Sequence, residues 1–402
     1  MSIKCKKYSY IEKNIKIEVC DLNEDINFHT MGSYLKEYVF QKFPIEEVKN
    51  VIKNKGTFEI YNNQLYALNN FSKHYYKINF HYKENRLFNY IRPDFYLNNS
   101  KNKFIISLVP GKDYLMHYTR MLNYVLHILK YKTNVIIRRY LIQESKITLL
   151  TGLNSNFIEK DDIVIIGSVD KILNYLLNNK NFIFIYSYNN DYYTSYKFRI
   201  NNKIINLLGV KFSFWGDISS KIVNKICQLE AKEIIYVSKL GTLTSVDDIY
   251  KKIFIPNKTF FMNDKNIIYS NTNINKKFLS YFNNFSTGLH LSVPTIMEET
   301  TIQRNIAKKL NINSIDNEIA QIANCIDNYN NLYCKNIEYT SLHFATDYLK
   351  YKSELLNNIK FNLSNNRSKI AQLYKNEILD KIISILIEYL LINKDQNAKG
   401  KI

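Results

Sequence analysis

Residues 233–245 read EIIYVSKLGTLTS, and residues 162–167 read DIVIIG. Both contain a short, uninterrupted apolar run of the kind found in strands that are buried on both faces of a sheet. The surrounding pattern predicts a helix at Val169–Leu177 and a strand at Asn181–Tyr188. It then predicts a hairpin at Tyr196–Phe214, which turns at Asn201-Asn202, and a second helix at Gly216–Leu229. This alternation predicts an α/β fold, with a central mixed sheet between two helical layers across residues 181–392.

The first 140 residues follow a different pattern. They mix predicted helices with short strands, at Tyr34–Asn54, Gly56–Tyr66, His74–Tyr82, Phe104–Val109 and Asp113–Lys130. We therefore predict an N-terminal α+β accessory domain over residues 1–140 and an α/β domain over 141–395. An amphipathic helix at Arg367–Leu391 closes the second domain, with Ile370, Leu373 and Ile382 on its apolar face. Residues 393–402 are polar and are expected to fray.

The net charge of +19 first suggests a polyanionic partner. Only eight of the 55 basic residues are arginines, however, and the lysines are spread along the chain without a dense basic tract. Abundant Ile, Asn, Lys and Tyr are typical of an AT-rich coding sequence. We therefore consider nucleic acid an improbable partner, although the charge would attract an anionic substrate.

The five cysteines have irregular spacing and no Cys-x-x-Cys motif, which indicates reduced thiols in a cytoplasmic protein. The histidines form no metal-binding pair, so we expect neither a metal nor a cofactor. Residues 1–12 lack the apolar core of a signal peptide. The most apolar helical stretch, Ile382–Ile392, contains Glu388 and is too short to span a bilayer, so no membrane partner is expected.

The sequence contains none of the usual glycine-rich phosphate loops or nucleophile elbows. Its polar candidates are instead strand ends. The apolar strand within residues 233–245 runs directly into Lys239, Gly241 and Thr242. These residues are candidates because ligands gather at the carboxyl ends of strands in open α/β sheets. An ordinary strand-end turn is the alternative interpretation of this segment.

Two further segments combine a carboxylate with the boundary of an element. In Asn313–Ala323, Ser314 or Asp316 can cap a helix that has Glu318 in its first turn. In Tyr339–Tyr348, a strand ends at Thr346-Asp347, where burial would raise the pKa of the carboxyl and allow it to act as a general acid. The alternative interpretation of Glu318 is a residue that only favours helix formation, and that of Asp347 is a helix cap.

Taken in order, these segments resemble one family. Gly241-Thr242 ends a strand, Gly288–Thr300 (GLHLSVPTIMEET) follows, Asp316-x-Glu318-x-Ala320 opens a helix, and a later strand ends in Thr-Asp. This order is similar to that in the purine nucleoside and uridine phosphorylases and the methylthioadenosine/adenosylhomocysteine nucleosidases. The resemblance covers about residues 181–392 and implies a phosphorylase-like three-layer fold that binds a nucleoside or nucleotide.

The resemblance also implies roles for individual residues. Glu318 matches the glutamate that holds the ribose hydroxyls, with Asn317 in place of the usual methionine before it. Asp347 matches the aspartate that protonates the purine base, with Thr346 in place of the usual serine. The reaction implied is cleavage or formation of an N-glycosidic bond, with Asp347 as the general acid.

Three further positions complete the implied site. Lys239 and Thr242 fall where the phosphorylases bind phosphate, so phosphate is an expected co-substrate if the reaction is phosphorolysis. Ile296 or Met297 replaces an aromatic ring that stacks on the ligand in many relatives. The family often forms dimers or hexamers, which makes a homo-oligomer a further expectation.

The sequence also departs from the family pattern. The phosphate loop Gly-Asp-Pro-x-Arg has no clear counterpart, and the nearest turn, Gly167-Ser168-Val169-Asp170, lacks an arginine. Phosphorolysis and hydrolysis therefore both stay open. Two other functions also stay open, a non-catalytic nucleoside-binding module of the same fold and a nucleic-acid-binding protein that uses the positive charge and the 33 tyrosines.

Overall fold

A computed structural model describes residues 8–12, 15–20, 34–65, 74–80, 87–263, 266–270, 274–282, 285, 287–298, 301–348 and 369–392. The expectations for residues 393–402, and those for the termini of some predicted elements (Tyr66, Tyr82, Arg367), lie outside this part of the chain, as do Glu299 and Thr300 of the Gly288–Thr300 segment. In the described part of the chain, no helix is both long and apolar enough to cross a membrane.

Within the described part of the first 140 residues, seven strands form one sheet. In chain order they are β1 (Tyr8–Glu12), β2 (Ile15–Cys20), β3 (Thr57–Tyr61), β4 (Tyr75–Ile78), β5 (Asp94–Asn98), β6 (Lys103–Ser107) and β7 (Val135–Tyr140). Their spatial order is β1-β2-β7-β3-β6-β5-β4. The helices of this region are α1 (Tyr34–Phe40), α2 (Ile45–Lys53) and α3 (Lys112–Ile128). The helical stretch predicted at Tyr34–Asn54 is two helices, because Pro44 has no N–H for a continuous helix and instead precedes α2.

Ten strands form a second, larger sheet. They are β8 (Ile163–Gly167), β9 (Ile183–Asn189), β10 (Tyr193–Ile200), β11 (Lys203–Val210), β12 (Glu233–Thr242), β13 (Ile253–Asn263), β14 (Asn266–Ser270), β15 (Thr287–Ser292), β16 (Ser314–Asp316) and β17 (Glu338–Tyr348). The spatial order is β14-β13-β15-β16-β12-β8-β11-β10-β9, with β17 paired to β12 and β13. Parallel pairs such as β12–β17 and antiparallel pairs such as β10–β11 make the sheet mixed, as predicted.

The helices of this region are α4 (Leu141–Ser145), α5 (Ile147–Leu150), α6 (Val169–Asn178), α7 (Asp217–Gln228), α8 (Lys276–Tyr281), α9 (Thr301–Lys309), α10 (Ile319–Tyr333) and α11 (Lys369–Leu391). Ile172 of α6 and Ile382 of α11 are buried in one cluster with Ile235 of β12. Ile222 of α7 and Ile322 of α10 are buried with Ile234, which lies on the opposite face of β12. Since neighbouring strand residues point to opposite faces, the sheet lies between two helical layers and the predicted three-layer α/β arrangement is confirmed.

The two sheets share part of their core. One buried cluster includes Phe58 of β3, Tyr118 of α3, Ile226 of α7 and Ala345 of β17. Helices α3 and α7 also cap each other: Asp217 accepts hydrogen bonds from the N–H groups of Lys112 and Asp113, and Asp113 accepts one from the N–H of Asp217. The division at residue 140 stays a prediction.

Several local expectations can be compared with the structure. The hairpin at Asn201-Asn202 is confirmed, since Ile200 pairs with Lys203. The predicted apolar face of the last helix is wrong at its start, because Ile370 and Leu373 are 59% and 62% exposed. The buried side of α11 is formed by later residues such as Ile382 and Leu386. Of the cysteines, Cys227, Cys325 and Cys334 are free thiols in the described part of the chain.

Candidate functional site

The three segments singled out from the sequence meet along β12. In the sheet register, Gly241 lies beside Asp347 of the parallel strand β17 and, on its other side, beside Ile315 of the antiparallel strand β16. The register between β12 and β17 shifts after Leu240, which leaves Thr346 as an extra residue opposite the end of β12. The structure therefore brings Gly241, Thr346 and Asp347 to one edge of the sheet, next to the strand that leads to Glu318.

Asp347 is a buried carboxyl at this edge. The residue is 6% exposed, and Oδ1 accepts a hydrogen bond of 2.9 Å from the Thr346 hydroxyl. Burial raises the pKa of Asp347 to about 6, although the Thr346 hydrogen bond and the positive charge of Lys239 oppose the rise. A carboxyl in this state is protonated in a useful fraction of molecules near neutral pH, as a general acid requires.

Glu318 lies immediately before α10, at the helix cap and not inside the first turn as predicted. It is partly buried, and its carboxyl interacts directly with that of Asp316. Burial and the adjacent charge of Asp316 raise the pKa of Glu318 well above its usual value, whereas Lys239 lowers it. Lys239, although its side chain is exposed, therefore acts electrostatically on both Glu318 and Asp347.

Glu318 is the residue before α10 but makes no side-chain cap hydrogen bond, and the side chain of Asp316 caps the helix instead, as one of the two sequence alternatives predicted. Its carboxylate accepts the N–H of Ile319 at 3.0 Å, whereas Ser314 lies in β16 and does not cap the helix. Asp316 also accepts hydrogen bonds from Ser292 and from Nε2 of His290, the latter at 2.8 Å. Burial would raise the pKa of Asp316, but the charge of His290 and these hydrogen bonds lower it to about 2. The pKa values of these two neighbouring carboxyls are thus shifted in opposite directions.

The polar residues that hold Asp316 were not predicted from the sequence. His290 and Ser292 are fully buried on β15, where Ser292 pairs with Asp316 and also accepts the N–H of Ala320 at 2.9 Å. His343 of β17 is buried nearby, and its ring contacts that of Tyr236 at 4.8 Å between centroids. Polar residues at every second position of an apolar strand, as in His290-x-Ser292 and Ser341-x-His343, were the available signal.

Asn317 connects the start of α10 to two neighbouring segments through hydrogen bonds. Its Nδ2 donates to the carbonyl of Val293 at 2.8 Å, and its own carbonyl accepts the N–H of Gly216 at 3.2 Å. Gly216 has φ of +60°, and a Cβ there would lie 2.8 Å from Cβ of Asp113. Glycine is therefore required at the start of α7, where the beginnings of α3, α7 and α10 converge.

Thr242 is buried, but its hydroxyl is already engaged. It donates to Oδ2 of Asp248 at 3.1 Å and lies 3.0 Å from the hydroxyl of Thr244, which also donates to Asp248. A carboxylate at this position would repel a phosphate ion. The geometry therefore does not favour the phosphate-binding role that the resemblance assigned to Thr242.

Ile296 and Met297 lie in a single 3₁₀ turn that contacts the N-terminal half of the chain. Met297 is 8% exposed and belongs to the shared core, and Ile296 packs against it. The preceding Thr295 hydroxyl lies 2.7 Å from Nδ1 of His117 on α3. These contacts make the turn part of the boundary between the two halves.

Described residues also line two cavities. One has a volume of about 240 Å³ and lies beside Leu243 and Thr244. The other, of about 700 Å³, lies among residues of the first sheet's region and the β9–β10 turn, including Tyr90, Arg92 and Tyr192. Neither is lined by Asp347 or Glu318. Within the described residues, no three His, Cys, Asp or Glu side chains form a metal-binding group.

No family model matches the chain. A curated relative, Oxidoreductase cns1 from the fungus Cordyceps militaris, is 26% identical over 370 residues, which cover 85% of this chain and 46% of the relative. The chain thus spans about half the length of the curated relative that it matches.

Two solved structures show partial similarity. Purine nucleoside phosphorylase from Toxoplasma gondii, in complex with immucillin-H, has a TM-score of 0.42 at 11% identity, over 58% of this chain and 92% of that one. The apo 5′-methylthioadenosine nucleosidase from Arabidopsis thaliana has a TM-score of 0.38 at 15% identity, over 56% of this chain and 96% of that one.

Proposed function

We propose that this chain cleaves or forms the N-glycosidic bond of a nucleoside or nucleotide. Asp347 protonates the base, and Glu318 holds the ribose hydroxyls. The observation that carries the proposal is the position of a buried Asp347, with its pKa raised to about 6, at the strand edge beside the segment that leads to Glu318. Paired carboxyls with different pKa values are typical of acid–base sites.

In the proposed cleavage, the bond between the anomeric carbon and the base nitrogen breaks and its electron pair goes to the base. Asp347 supplies a proton to the base, which makes the base a better leaving group. Water or phosphate then forms the new bond to the anomeric carbon. In hydrolysis the attacking water releases a proton to solvent, and Asp347 takes up a proton from solvent before the next turnover. Positive charge developing on the sugar is stabilised by nearby carboxylate, which Asp316 supplies.

Hydrolysis is the version that the local geometry favours, because the Thr242 hydroxyl is bound to Asp248. Glu318 must also change its contacts when a ligand binds. Its carboxyl interacts with Asp316 in the structure, and ribose hydroxyls would replace that contact. Lys239 lies where its charge favours the ionised form of Glu318, which accepts hydroxyl hydrogen bonds best.

The test is incubation of the full chain with a panel of nucleosides and nucleotides, with and without phosphate, followed by chromatography of the free base. Release of base that does not require phosphate supports the hydrolytic form, and release that requires phosphate supports phosphorolysis. If the protein binds a nucleoside tightly but releases no base from any compound, it is a non-catalytic binding module.

A further inference from the structure

Trp215 is the only tryptophan in the chain and lies between the end of β11 and the start of α7. We propose that the base of the nucleoside packs against the indole ring of Trp215, and that this contact favours purines over pyrimidines. The inference rests on the proposed function for the nature of the ligand. The position and the surroundings of the ring carry the assignment of this residue.

The strand topology places Trp215 at the same edge of the sheet as Asp347. Strand β11 is parallel to β8, β8 is parallel to β12, and β12 is parallel to β17. The carboxyl ends of these four strands therefore share one edge, which is where ligands gather in open α/β sheets. Trp215 lies in the connection that leaves β11 at this edge, and Asp347 lies near the end of β17.

Contacts on two sides hold Trp215 close to the segment before α10. The N–H of Gly216, the next residue, donates to the carbonyl of Asn317 at 3.2 Å. The ring of Trp215 also lies 5.0 Å from that of His117, measured between centroids, and Nδ1 of His117 is 2.7 Å from the Thr295 hydroxyl. Trp215 is therefore close to α3, to the start of α10 and to the segment that follows β15.

The ring of Trp215 is supported from one side. Within the described residues, its ring contacts are with Tyr114 and His117, at 5.3 and 5.0 Å between centroids and at interplanar angles of 77° and 76°. Tyr114 and His117 are three residues apart on α3 and so lie on one face of that helix. Because Trp215 is only partly buried, the accessible part of its ring faces away from α3.

Trp215 differs in this respect from the buried aromatic residues of the same region. Tyr236, Tyr339 and Tyr348 are 2%, 5% and 7% exposed, so their rings cannot receive a base. Phe214 packs against the buried ring of Tyr236, with 5.6 Å between centroids. Every base has a π-face that can stack on an indole, and the two fused rings of a purine cover more of it than one pyrimidine ring does.

The experiment uses the fluorescence of Trp215, which is the whole tryptophan emission of this chain. The full chain is titrated with adenosine, uridine and ribose, with excitation where tyrosine absorbs little, and each affinity is measured in parallel by calorimetry. The titrations are repeated with Asp347→Asn, so that base release does not consume the ligand. We expect both nucleosides to quench the emission saturably, with midpoints that match the calorimetric Kd. Ribose should not change the emission, and adenosine should bind more tightly than uridine.

Two substitutions of Trp215 separate stacking from packing. Trp215→Leu should lower adenosine affinity by about tenfold or more, because stacking on the base is lost, and should lower uridine affinity less. Trp215→Phe keeps an aromatic ring and should lose less affinity than Trp215→Leu. Phe40→Leu is the matched control and should keep the wild-type affinity, because Phe40 is a partly buried aromatic residue of the same core cluster that lies on α1. Circular dichroism and melting check the folding of each variant, and the wild-type emission tests the contact without any substitution.

A nucleoside that binds by calorimetry but leaves the Trp215 emission unchanged overturns this inference and leaves the proposed function standing. Wild-type adenosine affinity in a folded Trp215→Leu, or an equal loss in Phe40→Leu, has the same meaning. Saturable quenching by adenosine without release of base from any nucleoside refutes the proposed reaction and leaves the role of Trp215 standing. If neither nucleoside binds to the wild type, both are refuted.

Discussion

Asp347→Asn tests the proposed general acid and has two opposite consequences. The amide keeps the size of the side chain, and its oxygen can still accept the Thr346 hydrogen bond. It cannot deliver an acidic proton. We therefore expect base release to fall by about 10²–10⁴-fold, the usual contribution of general acid catalysis, while nucleoside binding is kept.

The pH dependence of the wild type follows from the same pKa. With a pKa of about 6, roughly one-tenth of Asp347 is protonated at pH 7, against roughly one-thousandth for an ordinary aspartate. Burial thus increases the active form about a hundredfold at neutral pH. Base release should be highest below pH 6 and should fall by nearly tenfold per unit above pH 7.

Asp347→Asn should lower base release but raise the free energy of unfolding at high pH. The pKa rises from 3.8 to about 6 on folding, so the folded state prefers the neutral carboxyl. The stability that this preference contributes is fully present below pH ~4 and is lost as the pH rises through 6. At about 1.4 kcal/mol per unit, ionisation costs the folded state up to about 3 kcal/mol. Asp347→Asn avoids this cost and should be the more stable protein at pH 8.

The measurement is the free energy of unfolding of both proteins at pH 5 and pH 8, with base release followed in parallel. The advantage of the variant should be larger at pH 8 by roughly 1.4 kcal/mol. Asp161→Asn is the control, since Asp161 is exposed and its left-handed backbone suits asparagine. An advantage that does not depend on pH, or wild-type turnover in Asp347→Asn, would show that Asp347 is not the buried acid described here.

Glu318→Gln should lower nucleoside affinity or turnover by about tenfold or more, with little change in melting temperature because the raised pKa of Glu318 means that folding does not favour its charge; unchanged binding and turnover would make Glu318 structural. Asp316→Asn leaves one of three converging donors without an acceptor, so its free energy of unfolding should fall by about 1–3 kcal/mol in urea titration; equal stability would contradict this network. Ile185→Lys should reduce any self-association measured by light scattering, because β9 is an exposed apolar edge strand; an unaltered oligomer would place the contact elsewhere.

The alternation of apolar runs and helical periods was sufficient to predict the larger sheet. The ends of parallel strands share one edge, so the sequence also predicted that Gly241 and Asp347 would lie together. The spacing of apolar residues in the last helix predicted an apolar face along its length. It could not predict how much of that face neighbouring elements would cover. Ile370 and Leu373 lie on that stripe and are exposed, whereas α11 contacts α6 and β17 through other residues.

Contacts between distant side chains could not be predicted in this way. Asp217 accepts the N–H of Lys112, which is 105 residues away, and the pairing depends on where α3 and α7 begin in space. His290 and Asp316 are 26 residues apart and meet because β15 and β16 are neighbours. The sequence marked Glu318 as a carboxylate at a helix start. Only the packed structure shows that Glu318 is shielded from water and lies against a second carboxyl, and both effects raise its pKa.

The shifted pKa values of Asp316, Glu318 and Asp347 determine which ligand groups this site can bind. Hydrogen bonds from His290, Ser292 and Ile319 keep Asp316 ionised. Burial and that fixed charge raise the pKa of Glu318, and burial raises the pKa of Asp347 against the opposing effects of Thr346 and Lys239. A ligand with hydroxyl groups would compete with Glu318 for Asp316, and a ligand with a basic nitrogen would meet Asp347, whose raised pKa suits proton donation. One small molecule that carries both kinds of group, as a nucleoside does, matches this arrangement better than a ligand with only one of them.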